Sequence, residues 1–443
     1  MCELLEVFGV SNDLIKSYIE REKVDGEFQR ALNLGKQIIV YGSSKQGKTS
    51  LIKKHLEENK IIQIECSPTM QIIDIYSSIL RQSKAQIIKE YCEETSEGNK
   101  INPSIKAKIK IPLIAEVGGQ LGAEGFNETS KKENYKVVEY NLSLSQDILE
   151  ILKEINFDKT IVLENFHYLS EDVQKHFAFD LRTFQDGNIR FIIVGIWRER
   201  NRLAQFNGDL QDRMVEVPVE PWEKEDFGKV INAGSELLNI NIDNVKEEII
   251  NSCFDSIGVL QELCKECCFS ANINKTSVDK IDIQTEHLEK AKTRKLEDYS
   301  GRHLRSFESF ADSPKKEREG KIPLFIPYYF LNILLNTDFN EIVGGFKRKN
   351  IHERILEIHH RPKDVRASDM SNFLYSIIKY QLNKDIKPPL FDYDRSIQTL
   401  RIIDSTLYFF LRECNKEEVL ENLPIPSDKI NLEGKQETSQ DTD

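Results

Sequence analysis

Glycine, lysine and threonine stand at fixed offsets in GSSKQGKT, residues 42–49, where Gly42, Gly47, Lys48 and Thr49 satisfy the pattern G-x-x-x-x-G-K-[ST]. Glycines let a backbone curl so that successive N–H groups face inward onto phosphate oxygens, and a following helix adds the positive end of its dipole. On that reading Gly42, Ser43, Ser44, Lys45, Gln46, Gly47 and Ser50 cradle phosphates, Lys48 reaches the β- and γ-phosphates, and Thr49 holds Mg²⁺. Such a loop needs an acid at the end of a neighbouring strand to fix Mg²⁺ through its water shell, with a polar residue beside it for the attacking water. KTIVLENFHYLS, residues 159–170, supplies Glu164 followed by Asn165. An amide orients water but cannot take its proton, which argues against rapid unassisted hydrolysis.

These residues have to be positioned by the elements around them. Residues 37–42, 61–66, 160–165, 190–196 and 214–219 are short β-branched runs, as strands buried on both faces should be. Helical patterns lie between them at 50–58, 71–82, 170–184 and 199–206. The alternation predicts an α/β fold, a parallel sheet with helices on both faces, over residues 1–220. An insertion near 100–135 interrupts it. There Lys106, Lys108 and Lys110 alternate with Ile105, Ala107 and Ile109, so a strand would carry a basic row on one face. Two readings stay open for it, a solvated β-hairpin or a loop that contacts a partner or nucleic acid.

Residues 221–310 turn helical, and the charged run at 311–321 reads as a linker. Residues 322–414 give a helix, a proline-containing turn, a longer helix with Phe373, Leu374, Ile377, Ile378 and Leu382, a hairpin at 387–403 and a last apolar segment. That order suggests a winged helix-turn-helix. Between 342 and 366, Lys347, Arg348, Lys349, Arg354, Arg361, Lys363 and Arg366 outnumber Glu353, Glu357 and Asp364. A basic face on this fold contacts phosphates in many cases, yet the second helix offers Ser371, Asn372, Lys379 and Gln381 and no arginine to read guanine. DNA contact, protein docking and a merely solvated face all remain open. Residues 415–443 are acidic and without aromatics, the composition of a disordered tail.

At 443 residues the chain is long enough for two or three domains. A net charge of −12 speaks against non-specific coating of nucleic acid and leaves room for a local basic patch. No stretch has the roughly 18 apolar residues of a membrane span, and residues 1–13 lack the layout of a secretion signal, so the expected location is the cytoplasm. Eight scattered cysteines fit reduced thiols. Cys264, Cys267 and Cys268 have helical i, i+3, i+4 spacing, which fits buried helix cysteines or half of a zinc site that no second cluster completes.

Taken together, the strand and phosphate loop, the acid-bearing strand, the helical segment and the C-terminal order resemble the origin-recognition branch of the AAA+ ATPases and the related STAND signalling ATPases. The resemblance runs over roughly residues 17–411, and within that group the chain is similar to bacterial ATP-binding proteins of mobile-element and anti-phage settings. It implies ATP and Mg²⁺ as ligands and a slow ATPase working as an assembly-gated switch. It also implies a homo-oligomer, with DNA or a protein engaged through the winged helix. SYIEREKVDGEF matches the box that contacts adenine and nominates Tyr18, Ile19 and Arg21. FIIVGIWRERN matches the sensor-1 strand, where Arg198 is the nearest candidate. NGDLQDRMVEVPV places Arg213 where such proteins present an arginine finger to a neighbouring subunit, with Arg202 in reserve; an ordinary salt bridge from Arg213 to Asp209 or Asp212 is the other reading. Gln261 stands where the lid of the family carries its sensor-2 arginine. An arginine supplied by another subunit makes hydrolysis depend on assembly. The competing reading is a DNA-binding scaffold or regulator in which ATP is a structural ligand with little turnover.

Overall fold

Five of the apolar runs pair in parallel into one sheet: β1 (Gln37–Tyr41), β2 (Ile61–Glu65), β6 (Thr160–Glu164), β7 (Phe191–Gly195) and β8 (Met214–Pro218), in the order β2-β6-β7-β1-β8. The computed structural model describes residues 1–11, 13–83, 85–97, 100–112, 135–312 and 323–426. Every residue of β1, β6 and β7 is buried, because helices cover both faces. On one face α2 (Glu22–Asn33) and α3 (Lys48–His55) bring Val24, Phe28, Ala31, Leu51 and Ile52 onto Ile38, Val40, Val162 and Val194. On the other, α4 (Ile72–Gln82), α5 (Ser145–Glu154) and α6 (Glu171–Asp186) bring Ile75, Leu149 and Phe177 onto Ile39, Ile64, Leu163 and Ile193. The chain leaves β1 for β2 at the edge of the sheet, with β7 and β6 lying between them. That jump opens a crevice beyond the carboxyl ends of the strands, where open α/β sheets bind ligands.

A separate antiparallel sheet, β3 (Gln86–Glu97), β4 (Lys100–Pro112) and β5 (Tyr135–Asn141), separates α4 from α5. It starts well before residue 100, because β4 finds its backbone partner in the register from Gln86↔Lys110 to Glu97↔Lys100. It is also not solvated on both sides: Ala107 and Ile109 enter the main core while Lys108 points out. Residues 113–134 of the stretch read as an insertion lie outside the described residues.

Of residues 199–206, expected to be helical, 200–206 are consecutive turns instead. Asn201 takes φ +56°, which a right-handed helix cannot accommodate, and its N–H bonds Glu216 Oε2 at 3.0 Å.

Helices α7 (Lys224–Leu238), α8 (Asp243–Ser252) and α9 (Ile257–Ser270) pack with the short helix α1 (Leu4–Val7) around Phe8, Ile231, Ile249 and Leu263. Cys264, Cys267 and Cys268 are fully buried in this core. Among the described residues no group of three or more His, Cys, Asp or Glu is placed to hold a metal. The 27-residue α10 (Thr285–Ala311) then runs from α9 to the C-terminal unit. Most of the segment read as a linker, residues 313–321, lies outside the described residues.

The C-terminal unit comprises α11 (Ile326–Asn336), α12 (Phe339–Gly344), α13 (Arg348–Ile358), α14 (Ala367–Tyr375) and α15 (Ile377–Asn383). Its antiparallel sheet has β11 (Phe346–Lys347), β13 (Thr399–Ile402) and β12 (Phe391–Asp394) in that spatial order. The single longer helix expected over this stretch is two helices, divided at Ser376, whose backbone leaves helical geometry at φ −99° and ψ +5° while its hydroxyl bonds the Asn372 carbonyl at 2.7 Å. The acidic end also departs from expectation at its start. After α16 (Ser405–Glu413), residues Lys416–Glu421 form a further helix whose Val419, with Leu423, is buried against the C-terminal core. Residues 427–443 lie outside the described residues. Among the described residues no helix is long and apolar enough to cross a membrane.

Candidate functional site

The loop between β1 and α3 opens at the carboxyl edge of the sheet. Gly42 has φ +150° and Gly47, capping α3, has φ +83°; a side chain at either would be strained, and a Cβ on Gly42 would meet Val219 at 2.7 Å. Lys48 is buried, and its Nζ donates to the carbonyls of Gly42 at 3.0 Å and Ser43 at 2.5 Å. Burial pushes its ammonium down to about 8, with Glu220 and Glu164 pulling the other way. Thr49 Oγ1 donates to Glu164 Oε1 at 3.4 Å. Burial raises the Glu164 carboxyl, and the charge of Lys48 opposes that rise. Asn165 follows in the left-handed region, φ +58°, a conformation that asparagine tolerates.

These side chains line one cavity of about 500 Å³. Its walls bring together Tyr18, Ile19, Arg21, Lys45, Gln46, Gly47, Lys48, Thr49, Ser50, Glu164, Asn165 and Gln261, from segments far apart in the sequence. Tyr18 donates its hydroxyl to Asp25 at 2.6 Å. Arg21 lays its guanidinium 3.6 Å from the centre of the Trp222 ring and bonds the Val219 carbonyl at 2.9 Å, so it walls the cavity while its charge is already engaged. Gln261 accepts from the Gly9 N–H at 3.2 Å and donates to Ser17 Oγ at 3.1 Å. It ties the N-terminal segment to α9.

The first residues of the loop face elsewhere. Ser43 donates its N–H and its hydroxyl to Glu220 Oε2, each at 3.1 Å, and Arg198 bridges Ser43 Oγ at 3.0 Å to Glu220 Oε1 at 3.2 Å. The Ser44 N–H donates to the carbonyl of Ile403 at 2.9 Å, and Ser405 Oγ donates to the Ser44 carbonyl at 2.8 Å. Arg302 on α10 pairs with the buried Asp404 between them. The Lys45 carbonyl takes the Gly258 N–H at 3.0 Å, and Gln46 Nε2 bonds the Asp255 carbonyl at 2.7 Å. One loop thus touches the sheet, the helical unit and the C-terminal unit.

Arg213 is not among these groups. It precedes β8 at the amino edge of the sheet, where its carbonyl accepts from Gln37 N and its side chain pairs with Asp186 rather than with Asp209 or Asp212. The length of β1, roughly 16 Å at about 3.3 Å per residue, separates that edge from the phosphate loop. Arg202 pairs with Asp392 of the C-terminal unit at 3.6 Å.

Sequence reasoning passed over Glu220, Trp222, Glu65 and the Ile403–Asp404–Ser405 turn. Only Glu65 left a local signal: in IIQIE, Gln63 and Glu65 are polar at alternate positions of an otherwise apolar strand.

No protein-family model matches the chain, and no curated protein matches it in sequence. Similar solved structures include the Walker-type ATPase PABY2304 of Pyrococcus abyssi, 14% identical with a TM-score of 0.44 over 89% of this chain and 96% of that one. The ORC1 protein of Aeropyrum pernix, in complex with DNA, is 11% identical with a TM-score of 0.43 over 94% and 96%. The RuvB Holliday junction branch migration motor of Thermotoga maritima is 12% identical with a TM-score of 0.38 over 90% and 96%.

Proposed function

We propose that the chain binds Mg·ATP in the cavity behind Lys48, hydrolyses it slowly, and uses the state of that site to set the position of its C-terminal unit, as an AAA+ or STAND-like switch would. The observation that carries the reading is the convergence of Lys48, Thr49 and Glu164 at the N-terminus of α3, all lining one cavity. The residues present fit the ligand. Tyr18, Ile19, Trp222 and Ile257 offer apolar surface for a base, and the α3 N-terminus and Lys48 offer charge and donors for phosphates. Thr49 and Glu164, already in contact, are oxygen donors of the kind Mg²⁺ takes.

When bound, Mg²⁺ would neutralise charge on the phosphates. Lys48 has to leave the carbonyls of Gly42 and Ser43 to meet a phosphate, and Asn165 is placed to orient water without accepting its proton. Arg213 is too far from its own site to act there, so its contribution is to the site of another copy of the chain in a homo-oligomer. The C-terminal order α11, β11, α13, α14, β12, β13 supports a winged helix that engages DNA or a protein. Of its basic residues, Arg348, Arg354 and Arg361 are bound to Ser371, Glu341 and Asp364 and Lys347 to the Ile397 carbonyl, while Lys363 and Arg366 stay exposed for a partner. A role in defence against phage rests on the sequence resemblance alone.

A second reading, ATP as a structural ligand of a DNA-binding scaffold, is favoured by Gln261, whose amide is committed to holding Gly9 and Ser17. Steady-state ATP hydrolysis across a protein concentration series, with and without double-stranded DNA and with Lys48→Ala as the blank, separates the two. A specific rate that rises with protein or DNA supports the switch; binding without turnover above the blank supports the scaffold.

A further inference from the structure

At the reacting end of the cavity, the position after Glu164 is an amide, and Glu164 itself is engaged with Thr49 and buried near Lys48. Two more carboxylates line the cavity among the described residues, Asp13 and Glu65. Asp13 belongs to the exposed segment ahead of Ser17, whereas Glu65 ends β2 as the register partner of Glu164 on β6. Register partners on parallel strands face the same side of a sheet about 4.8 Å apart. Both carboxylates therefore leave the sheet on the face that α3 covers. Ile62 and Ile64 point the other way into the core, and Gln63 lines the cavity beside Glu65. The Glu65 side chain is exposed, and among the described residues no hydrogen bond or ion pair holds it.

We propose that Glu65 is the general base of the hydrolysis, the role that Asn165 cannot fill; this rests on the nucleotide reading of the same site. The two acids divide the work by environment: Glu164, buried and tied to Thr49, stays with the metal, and Glu65, free at the strand end, handles the proton. In the step, Glu65 takes one proton from a water while the water oxygen bonds to the terminal phosphorus of ATP. The bond from that phosphorus to the bridging oxygen breaks, and the bridging oxygen keeps the electron pair as part of ADP. The proton on Glu65 then passes to solvent or phosphate, so one ATP and one water give ADP, inorganic phosphate and a proton. General bases contribute on the order of 10²- to 10⁴-fold.

The test compares wild type, Glu65→Gln, Glu65→Asp and Lys48→Ala in ATP turnover, with ATP binding by titration calorimetry alongside. Glu65→Gln should bind ATP within about 2-fold of wild type and lose turnover by at least about 100-fold, with Glu65→Asp recovering part of the rate. Glu65→Gln turning over at the wild-type rate overturns the assignment while leaving the ATPase reading intact. Loss of ATP binding together with turnover in Glu65→Gln also overturns it, since a base acts after binding. A wild-type rate no higher than that of Lys48→Ala defeats the ATPase reading and this assignment with it.

Discussion

Ser44 in the phosphate loop donates its backbone N–H to the carbonyl of Ile403, at the join of β13 and α16, at 2.9 Å, and Ser405 closes the contact by donating to the Ser44 carbonyl at 2.8 Å. The loop that leads into α3 and the C-terminal unit are in this way direct hydrogen-bond partners. Removing the Ser405 hydroxyl leaves a buried carbonyl short of a donor and should weaken the contact by about 1 kcal/mol. Ser405→Ala is expected to speed hydrogen exchange in the peptide spanning residues 43–50 roughly five-fold, read by mass spectrometry. Unchanged exchange there would mean the contact does not hold the loop.

Lys48 gives a pH dependence with a definite sign. Burial brings its ammonium down to about 8, and an anionic phosphate raises it again, so binding takes up protons near pH 8. Affinity for ADP should be full below that region and fall as pH rises through it. Calorimetric titration in two buffers of different ionisation enthalpy should show net proton uptake at pH 8 and much less at pH 6.5. Equal uptake at both would place the linkage on another group.

Replacing Asn165 by Glu puts a carboxylate directly after Glu164, at a position with φ +58°. Glutamate pays for that conformation where asparagine does not, by about 1 kcal/mol, and the new acid stands beside Glu164 on β6 rather than at the end of β2 that Glu65 occupies. The expected outcome is a slightly lower melting temperature and no gain in turnover. A marked gain would instead make position 165 the step at which the native enzyme is held back.

Arg213→Ala loses an ion pair with Asp186 that is partly open to solvent, a change of about 1 kcal/mol or less in stability. If the arginine serves a neighbouring site, the variant should lose the part of ATP turnover that rises with protein concentration and keep ATP binding. Mixing Arg213→Ala with Lys48→Ala should restore part of that rate, because an intact finger then meets an intact loop. Failure of the mixture to exceed the sum of its components would return Arg213 to a structural salt bridge.

Gly258 opens α9 against the loop, its N–H on the Lys45 carbonyl; an added Cβ would lie 2.9 Å from that oxygen and 2.6 Å from Lys45 Cβ. Gly258→Ala should push the loop and weaken ATP binding by roughly 10-fold, the equivalent of 1.4 kcal/mol, with little change in melting temperature. Wild-type affinity would show that the loop moves aside freely.

The parts of this architecture legible in the sequence are those that local rules control. Runs such as IIVY and FIIVG are buried on both faces and so are apolar, and the glycine pattern of residues 42–49 is contiguous because one short turn of backbone demands it. What the sequence hides depends on distant segments meeting. Glu220 reaches Ser43, and Ile403 and Ser405 reach Ser44, with nothing nearby in the chain to announce either contact. The turns at residues 200–206 look helical by composition and are decided by Asn201 and its bond to Glu216. Arg198 is a sensor candidate by its place after β7, and its partners, Ser43 and Glu220, stand in the loops after β1 and β8.

The long helix α10 gives the molecule a mechanical gain. Its 27 residues span about 40 Å. It lies along α9, which carries Gly258 and Gln261 at the cavity, and holds the C-terminal unit through Arg302 and Asp404. With its first turn as a pivot, a tilt of about 10° would carry its far end about 7 Å by simple geometry. Lys45 Nζ lies over the Tyr299 ring, about half-way along that helix, so a shift of the loop there would reach the C-terminal end of α10 about doubled.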